Sequence, residues 1–188
     1  TFGVLFFWAL SLSAQIPGYY SSIDLTQNGN ALQHDLSALI IESHTTLFPY
    51  TSSSLDTWDV LKKSDLDGDT NNVLLIYGHD DNNEYTNSRT RNFLSTQSSP
   101  KRLGTWNREH VFAKSLANPF LETDFPGSGT DVHNIRAVDA AMNAMRSNNF
   151  FEDGDGNAKI TENGNFYPGD EWKGDVARVL MYMKIRYP

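Results

Sequence analysis

A chain of 188 residues, 39% hydrophobic and 20% charged, suits one globular domain with enough apolar surface to bury a sizeable core. It has no cysteine, which excludes a disulfide framework, a thiol nucleophile and a cysteine-ligated zinc site. The formal net charge of -8 argues against a uniformly basic polyanion binder, but the charge is uneven: residues 1–88 carry a net of -9, residues 89–188 a net of +1, and Arg89 to Asn148 a net of +3. Local potential steers a phosphate backbone, so that last window is where a nucleic acid would be met.

In chain order, residues 1–14 are apolar over the length of a signal-peptide core and end in small residues, which predicts a partial signal peptide. The domain is then expected over residues 15–188. Leu32, Leu36, Leu39, Ile40 and Leu47 recur at helical spacing and predict a helix from Asn30 to Thr46, ended by Pro49. Asn72 to Tyr77 reads as a buried strand closed by Gly78, and Asp80 to Lys101 as a long polar loop. Trp106 to Phe112 reads as a strand, Ala113 to Gly129 as a loop broken by Pro119 and Pro126, Val132 to Ile135 as a second strand, and Ala137 to Arg146 as a helix. A last helix is expected from Gly174 to Tyr187, with Val176, Val179, Leu180 and Met183 on one face. The expected core adds Leu74, Ile76, Val111, Ile135 and Met142 to the helix residues Leu32, Leu36, Leu39, Ile40, Val179 and Leu180.

The densest chemistry lies in Trp106-Asn-Arg-Glu-His-Val-Phe112, Asp131-Val-His-Asn-Ile-Arg136, Asn143 and Arg146. Glu109 and Asn143 offer hard oxygens to a cation such as Mg²⁺, with Ca²⁺ or Mn²⁺ as alternatives, and two protein ligands leave room for substrate oxygens. His110 is the natural general base near neutral pH. Adjacent residues of a regular strand point to opposite faces, so joint use of Glu109 and His110 demands a bulge or a strand end. The bland alternative leaves Glu109 a surface carboxylate and His110 a hydrogen-bonded strand histidine. Arg102, Arg108 and Lys114 are the basic residues expected to meet phosphates.

These blocks, with Asn143-Ala-Met-Arg-Ser-Asn148 and Lys173-Gly-Asp-Val-Ala-Arg178, resemble the bacterial endonuclease I family of exported, nonspecific nucleases. The resemblance implies an α+β fold in which a His-Me finger (ββα-metal) core packs with additional helices and short strands. It also implies a secreted or periplasmic, monomeric, metal-dependent endonuclease that cuts DNA, and RNA in some relatives, to 5′-phosphate and 3′-hydroxyl ends. On this pattern His110 is the base and Glu109 and Asn143 hold one divalent cation, while His133 and Asn134 support the site through hydrogen bonds. Asn134 is also a candidate for phosphate binding. An arginine that steadies the transition state is implied as well, with Arg136 and Arg146 as candidates and Lys114 behind them. Two departures stand out: some relatives carry disulfides, and members continue past the Arg-Tyr of the last helix, so a truncated C-terminus is expected. A calcium-binding adhesion or structural module is the rival, from Asp65-Leu-Asp-Gly-Asp69 and Asp153-Gly-Asp-Gly-Asn157, though neither has the EF-hand's glycine at position six or glutamate at position twelve.

Overall fold

The structure is a computed structural model that describes residues 17–83, 85–97 and 100–188. The predicted signal peptide over residues 1–14 lies outside the described residues. Among the described residues, four α-helices and three two-stranded antiparallel sheets make an α+β fold. Among the described residues, no helix is long and apolar enough to cross a membrane.

Helix α1 spans Gly29–Ser43, close to its predicted range, and packs against α4, Lys173–Arg186. Leu32, Leu36, Leu39 and Ile40, expected in the core, are only half-buried. A helix docked on the outside against one other helix covers its apolar stripe from one side only, which is why these leucines keep some exposure. The short helix α2, Thr57–Ser64, was not anticipated. Its start is written locally: Asp56 accepts hydrogen bonds from the backbone of Trp58 and Asp59 while Asp59 reaches back to Asp56, a capping box built from two aspartates.

Strand β1, Asn72–Leu74, pairs with β2, Thr90–Asn92, so the expected strand ends three residues early and the expected polar loop holds its partner. The chain leaves β1 through Tyr77, a non-glycine residue at φ 70°. That left-handed backbone is strained for an L side chain.

At the centre, β3, Trp106–His110, pairs with β4, Ile135–Asp139, from Trp106 opposite Asp139 to His110 opposite Ile135. Helix α3, Ala140–Arg146, follows directly. The second strand therefore lies later than Val132–Ile135, and the helix begins after, not at, Ala137. Asp139 explains the switch: its Oδ1 accepts from the amides of Ala141 and Met142 as the helix N-cap, while Oδ2 pairs with the buried Arg91 at 2.8 Å. The strands β5, Lys159–Ile160, and β6, Phe166–Tyr167, form the last hairpin.

Two apolar cores flank the central hairpin. Trp106, Ile135 and Ala137 pack with Leu61, Val73 and Leu75 on one side. Val111, Val138 and Met142 pack with Ile76, Tyr77, Phe166, Trp172, Val176 and Val179 on the other. Ile76, Val111, Ile135, Met142 and Val179 are thus core residues, as expected, whereas Leu74 and Leu180 are partly buried at its edge. Packing on both sides fixes the β3–β4–α3 unit, which carries Glu109, His110 and Asn143.

Candidate active site

Strand β3 ends at His110, and this end resolves the problem of two adjacent side chains needing one destination. Beyond it the ladder continues through a side chain: buried Asn134 accepts from the Phe112 amide at 2.7 Å through Oδ1 and donates to the Phe112 carbonyl at 3.1 Å through Nδ2. Glu109 and His110 accordingly line the same cleft, of about 210 Å³, together with Asn143, Arg108, Lys114, Arg146 and Phe120.

Glu109 is 2% exposed. Its Oε1 accepts from the Tyr77 hydroxyl at 3.0 Å and lies 3.3 Å from the Arg146 guanidinium. Burial outweighs both stabilising contacts and raises the carboxyl pKa to about 7. The same burial pushes the Tyr77 hydroxyl up, so it stays a proton donor. Asn143 donates through Nδ2 to Asn107 Oδ1 at 2.7 Å and to the Arg108 carbonyl at 3.2 Å. Those bonds orient the amide and leave its oxygen as the free end. Among the described residues neither Glu109 Oε2 nor Asn143 Oδ1 receives a hydrogen bond. Two hard oxygens without donors on one cleft fit a divalent cation that keeps water or substrate ligands.

His110 is held by the loop between the hairpin strands. Its Nε2 lies 2.7 Å from the Gly129 carbonyl, which can only accept, so Nε2 carries the proton and Nδ1 keeps the lone pair. Gly129 is needed there because a Cβ would meet the Glu122 carbonyl oxygen at 1.9 Å. Tyr50 stacks on the imidazole with centroids 5.5 Å apart. Burial lowers the imidazole pKa to about 4 against the pull of the Gly129 hydrogen bond, helped by the charges of Lys114, Arg108 and Arg146. The ring is neutral at physiological pH.

The basic residues divide. Arg108 lies over the rings of Tyr50 and Trp58, 3.4 and 4.2 Å from their centroids, and donates to the Tyr50 carbonyl, Thr57 and Thr51. Lys114 extends over Tyr50 and Phe120. Arg146 is buried and donates to the carbonyls of His110 and Val111 at 3.2 and 2.8 Å, bracing the strand end from behind. Arg136, the other candidate for the transition state, does not line this cleft. Asp65 holds its guanidinium in two contacts, at 2.9 and 3.2 Å, beside a different cavity next to α4. Arg102 is exposed ahead of β3 and likewise is not among the cleft residues.

His133 also faces away from the cleft. Its Nδ1 donates to Asp131 Oδ1 at 2.9 Å, and its ring stacks on Tyr182. Asp131, His133 and His44 bring nitrogen and oxygen atoms within 4.8 Å of one another and could hold a cation. The Asp131 oxygens are already engaged, however, by the His133 amide and ring and by the hydroxyls of Tyr182 and Tyr187 at 2.8 and 2.9 Å. Burial raises this carboxyl and the hydrogen bonds more than reverse that, leaving its pKa at about 2. In the two aspartate-rich loops, Asp65 is turned inward to Arg136 and the Ala137 amide, and Asp155 pairs with Lys159.

The sequence reading missed Tyr77, Tyr50, Asn107 and Gly129. A tyrosine closing a buried strand just before a glycine, and an asparagine two residues before the glutamate, were the available signals. The contacts of Tyr50 and Gly129 come from loops and carry none.

The profile of the Endonuclease I family matches residues 28–188, and the chain belongs to that family. It is 37% identical over 182 residues to an extracellular ribonuclease of Bacillus amyloliquefaciens, covering 93% of this chain and 55% of that protein. It is also 37% identical over 179 residues to an extracellular ribonuclease of Bacillus subtilis (strain 168), covering 90% and 53%. The chain thus spans about half the length of the curated relatives it matches. No solved structure matches it.

Proposed function

We propose that this chain is an exported, metal-dependent endonuclease that hydrolyses phosphodiester bonds in RNA and DNA without base specificity. The observation that carries this reading is the meeting of Glu109, His110 and Asn143 on one cleft with Arg108 and Lys114, in a member of the Endonuclease I family. The β3–β4–α3 unit is read as a His-Me finger, with the histidine at the end of the first strand and the asparagine on the helix. The relatives' names favour RNA as a substrate and export as the destination.

In the proposed reaction His110 Nδ1 accepts a proton from water, because Nε2 is committed to Gly129. The water oxygen attacks phosphorus in line, the bond to the 3′ oxygen breaks, that oxygen takes a proton from solvent water, and the products carry a 5′-phosphate and a 3′-hydroxyl. Glu109 and Asn143 would hold one divalent cation, Mg²⁺ first, which when bound supplies charge neutralisation at the phosphate and the leaving oxygen. Arg108 and Lys114 would draw the phosphate in. Arg146 serves the site from behind by holding the His110 carbonyl and balancing the Glu109 charge, and Arg136 serves the fold through Asp65.

End-group analysis is the test. Labelled RNA and DNA strands incubated with Mg²⁺ should both be cut to 5′-phosphate ends, and EDTA should stop the reaction. Cyclic phosphate ends on RNA with no cleavage of DNA would mean that the 2′-hydroxyl, not water, is the nucleophile, and would overturn the proposal.

A further inference from the structure

One wall of the cleft is aromatic, and phosphodiester hydrolysis as such makes no use of it. Phe120 lines the cleft with Glu109 and His110 yet keeps 45% of its surface exposed. Its neighbours hold it in place: Leu121 is buried, and the Leu121 amide donates to the Lys114 carbonyl at 3.3 Å. The Lys114 ammonium sits 5.2 Å from the Phe120 ring and 5.9 Å from the Tyr50 ring, between the two aromatics. It makes no ion pair with a carboxylate among the described residues. Tyr50 has His110 stacked on it and Arg108 over it, whereas Phe120 has the Lys114 ammonium over its ring and still keeps nearly half its surface exposed. A cation without a carboxylate partner beside a partly exposed aromatic ring is the pairing used by proteins that bind unpaired nucleotides, in which charge tracks the backbone and the ring takes the base.

We propose that Phe120 is a stacking wall for an unpaired nucleobase next to the scissile phosphate, which makes single strands the preferred substrate of this cleft. This rests on the nuclease reading of the site and names its substrate class. In a duplex both faces of a base are covered by neighbours, so it must leave the stack before it can lie on Phe120. A single strand offers the face without that cost. Every base has such a face, so the wall selects strandedness without selecting sequence.

The test is equilibrium binding in the presence of EDTA, where no strand is cut, using short fluorescein-labelled single strands, fully abasic strands of the same length, and duplexes. Phe120→Ala should weaken binding of the intact single strand about 10- to 100-fold. It should not change affinity for the abasic strand, which has no base to stack. Phe120→Trp should restore tight binding, and circular dichroism should confirm that the variants fold, since the side chain is nearly half exposed. Equal losses on intact and abasic strands, or equal losses on single strands and duplexes, would overturn the stacking wall. The two readings fail separately. If the wild-type chain with Mg²⁺ binds strands but cuts none, the nuclease reading fails. If it cuts but Phe120→Ala binds every strand normally, only the wall fails.

Discussion

The fold contains two buried carboxylates with imidazoles nearby, and they differ in how many protons reach the carboxylate. Glu109 receives a hydroxyl and a guanidinium on one oxygen, and its pKa rises to about 7. Asp131 receives two tyrosine hydroxyls, an imidazole N–H and a backbone amide, and its pKa falls to about 2 although it is just as buried. Burial alone therefore does not mark a reactive centre. A carboxylate short of donors is held at a cost that a cation or proton relieves, while a saturated one is already stable where it is. Glu109 belongs to the first kind, in the lining of a cleft. Asp131 belongs to the second, tying the end of α4 through Tyr182 and Tyr187 to the loop that leads into β4.

The comparison breaks most sharply at the imidazole beside Glu109. General-base catalysis contributes about 10²- to 10⁴-fold, so His110→Ala should lower kcat by that range with substrate affinity kept. Single-turnover cleavage of a labelled strand measures it, and an unchanged kcat would remove His110 from the reaction. Glu109→Gln should raise the Mg²⁺ concentration for half-maximal activity by about 100-fold, on the scale of losing a ligand or its support. His133→Ala, on the other cluster, should leave that Mg²⁺ midpoint in place. If the two variants exchanged their effects, the cation would belong to the His44, Asp131 and His133 cluster instead.

Stability should follow a different order. Arg146→Ala removes the partner of Glu109 and the donor to two strand carbonyls, and losing one member of a buried pair costs about 3 to 5 kcal/mol. Urea unfolding reads this directly. A loss below about 1 kcal/mol would show that Arg146 is not the brace of the β3 end.

The legibility of these features follows from the range over which each is determined. The strand at Trp106–His110 and the body of α3 could be read because their signals are local, an aromatic and apolar stretch from Trp106 to Phe112 and an alanine- and methionine-rich run. The Asp139 cap went unread, and the helix was expected three residues early, from Ala137. The hard-oxygen and imidazole chemistry of Glu109, His110 and Asn143 could be read from residue type. What could not be read is tertiary. Nothing in the spacing sends Arg136 to Asp65, 71 residues away, or Tyr77 to Glu109, 32 residues away. Arg136 and Arg146 look alike in sequence, and only packing makes one a fold contact and the other a brace behind the cleft. The strand β2 and the pair β5–β6 were missed because two- and three-residue strands show no period to detect. The half-buried leucines of α1 misled because a helical stripe is the same whether it faces a core or a single neighbouring helix.

The smallest expected effect belongs to the saturated carboxylate and is a matter of pH. The folded pKa of Asp131 lies at about 2, below the ordinary aspartate value of 3.8. A group with a depressed folded pKa contributes stability that is fully present above the unfolded pKa and is lost as pH falls through the folded one. Asp131 should therefore contribute about 2 kcal/mol at pH 6, and this should fade between about pH 4 and pH 2. Asp131→Asn should lower stability by about that amount at pH 6 and narrow the gap to the wild type as the medium is acidified, measured by urea midpoints across the acid range. Because Tyr182 and Tyr187 sit near the end of α4, the loss should also appear as faster amide hydrogen exchange there than at β3. A constant gap at every pH would mean that the charge of Asp131 is not what holds α4 to the hairpin.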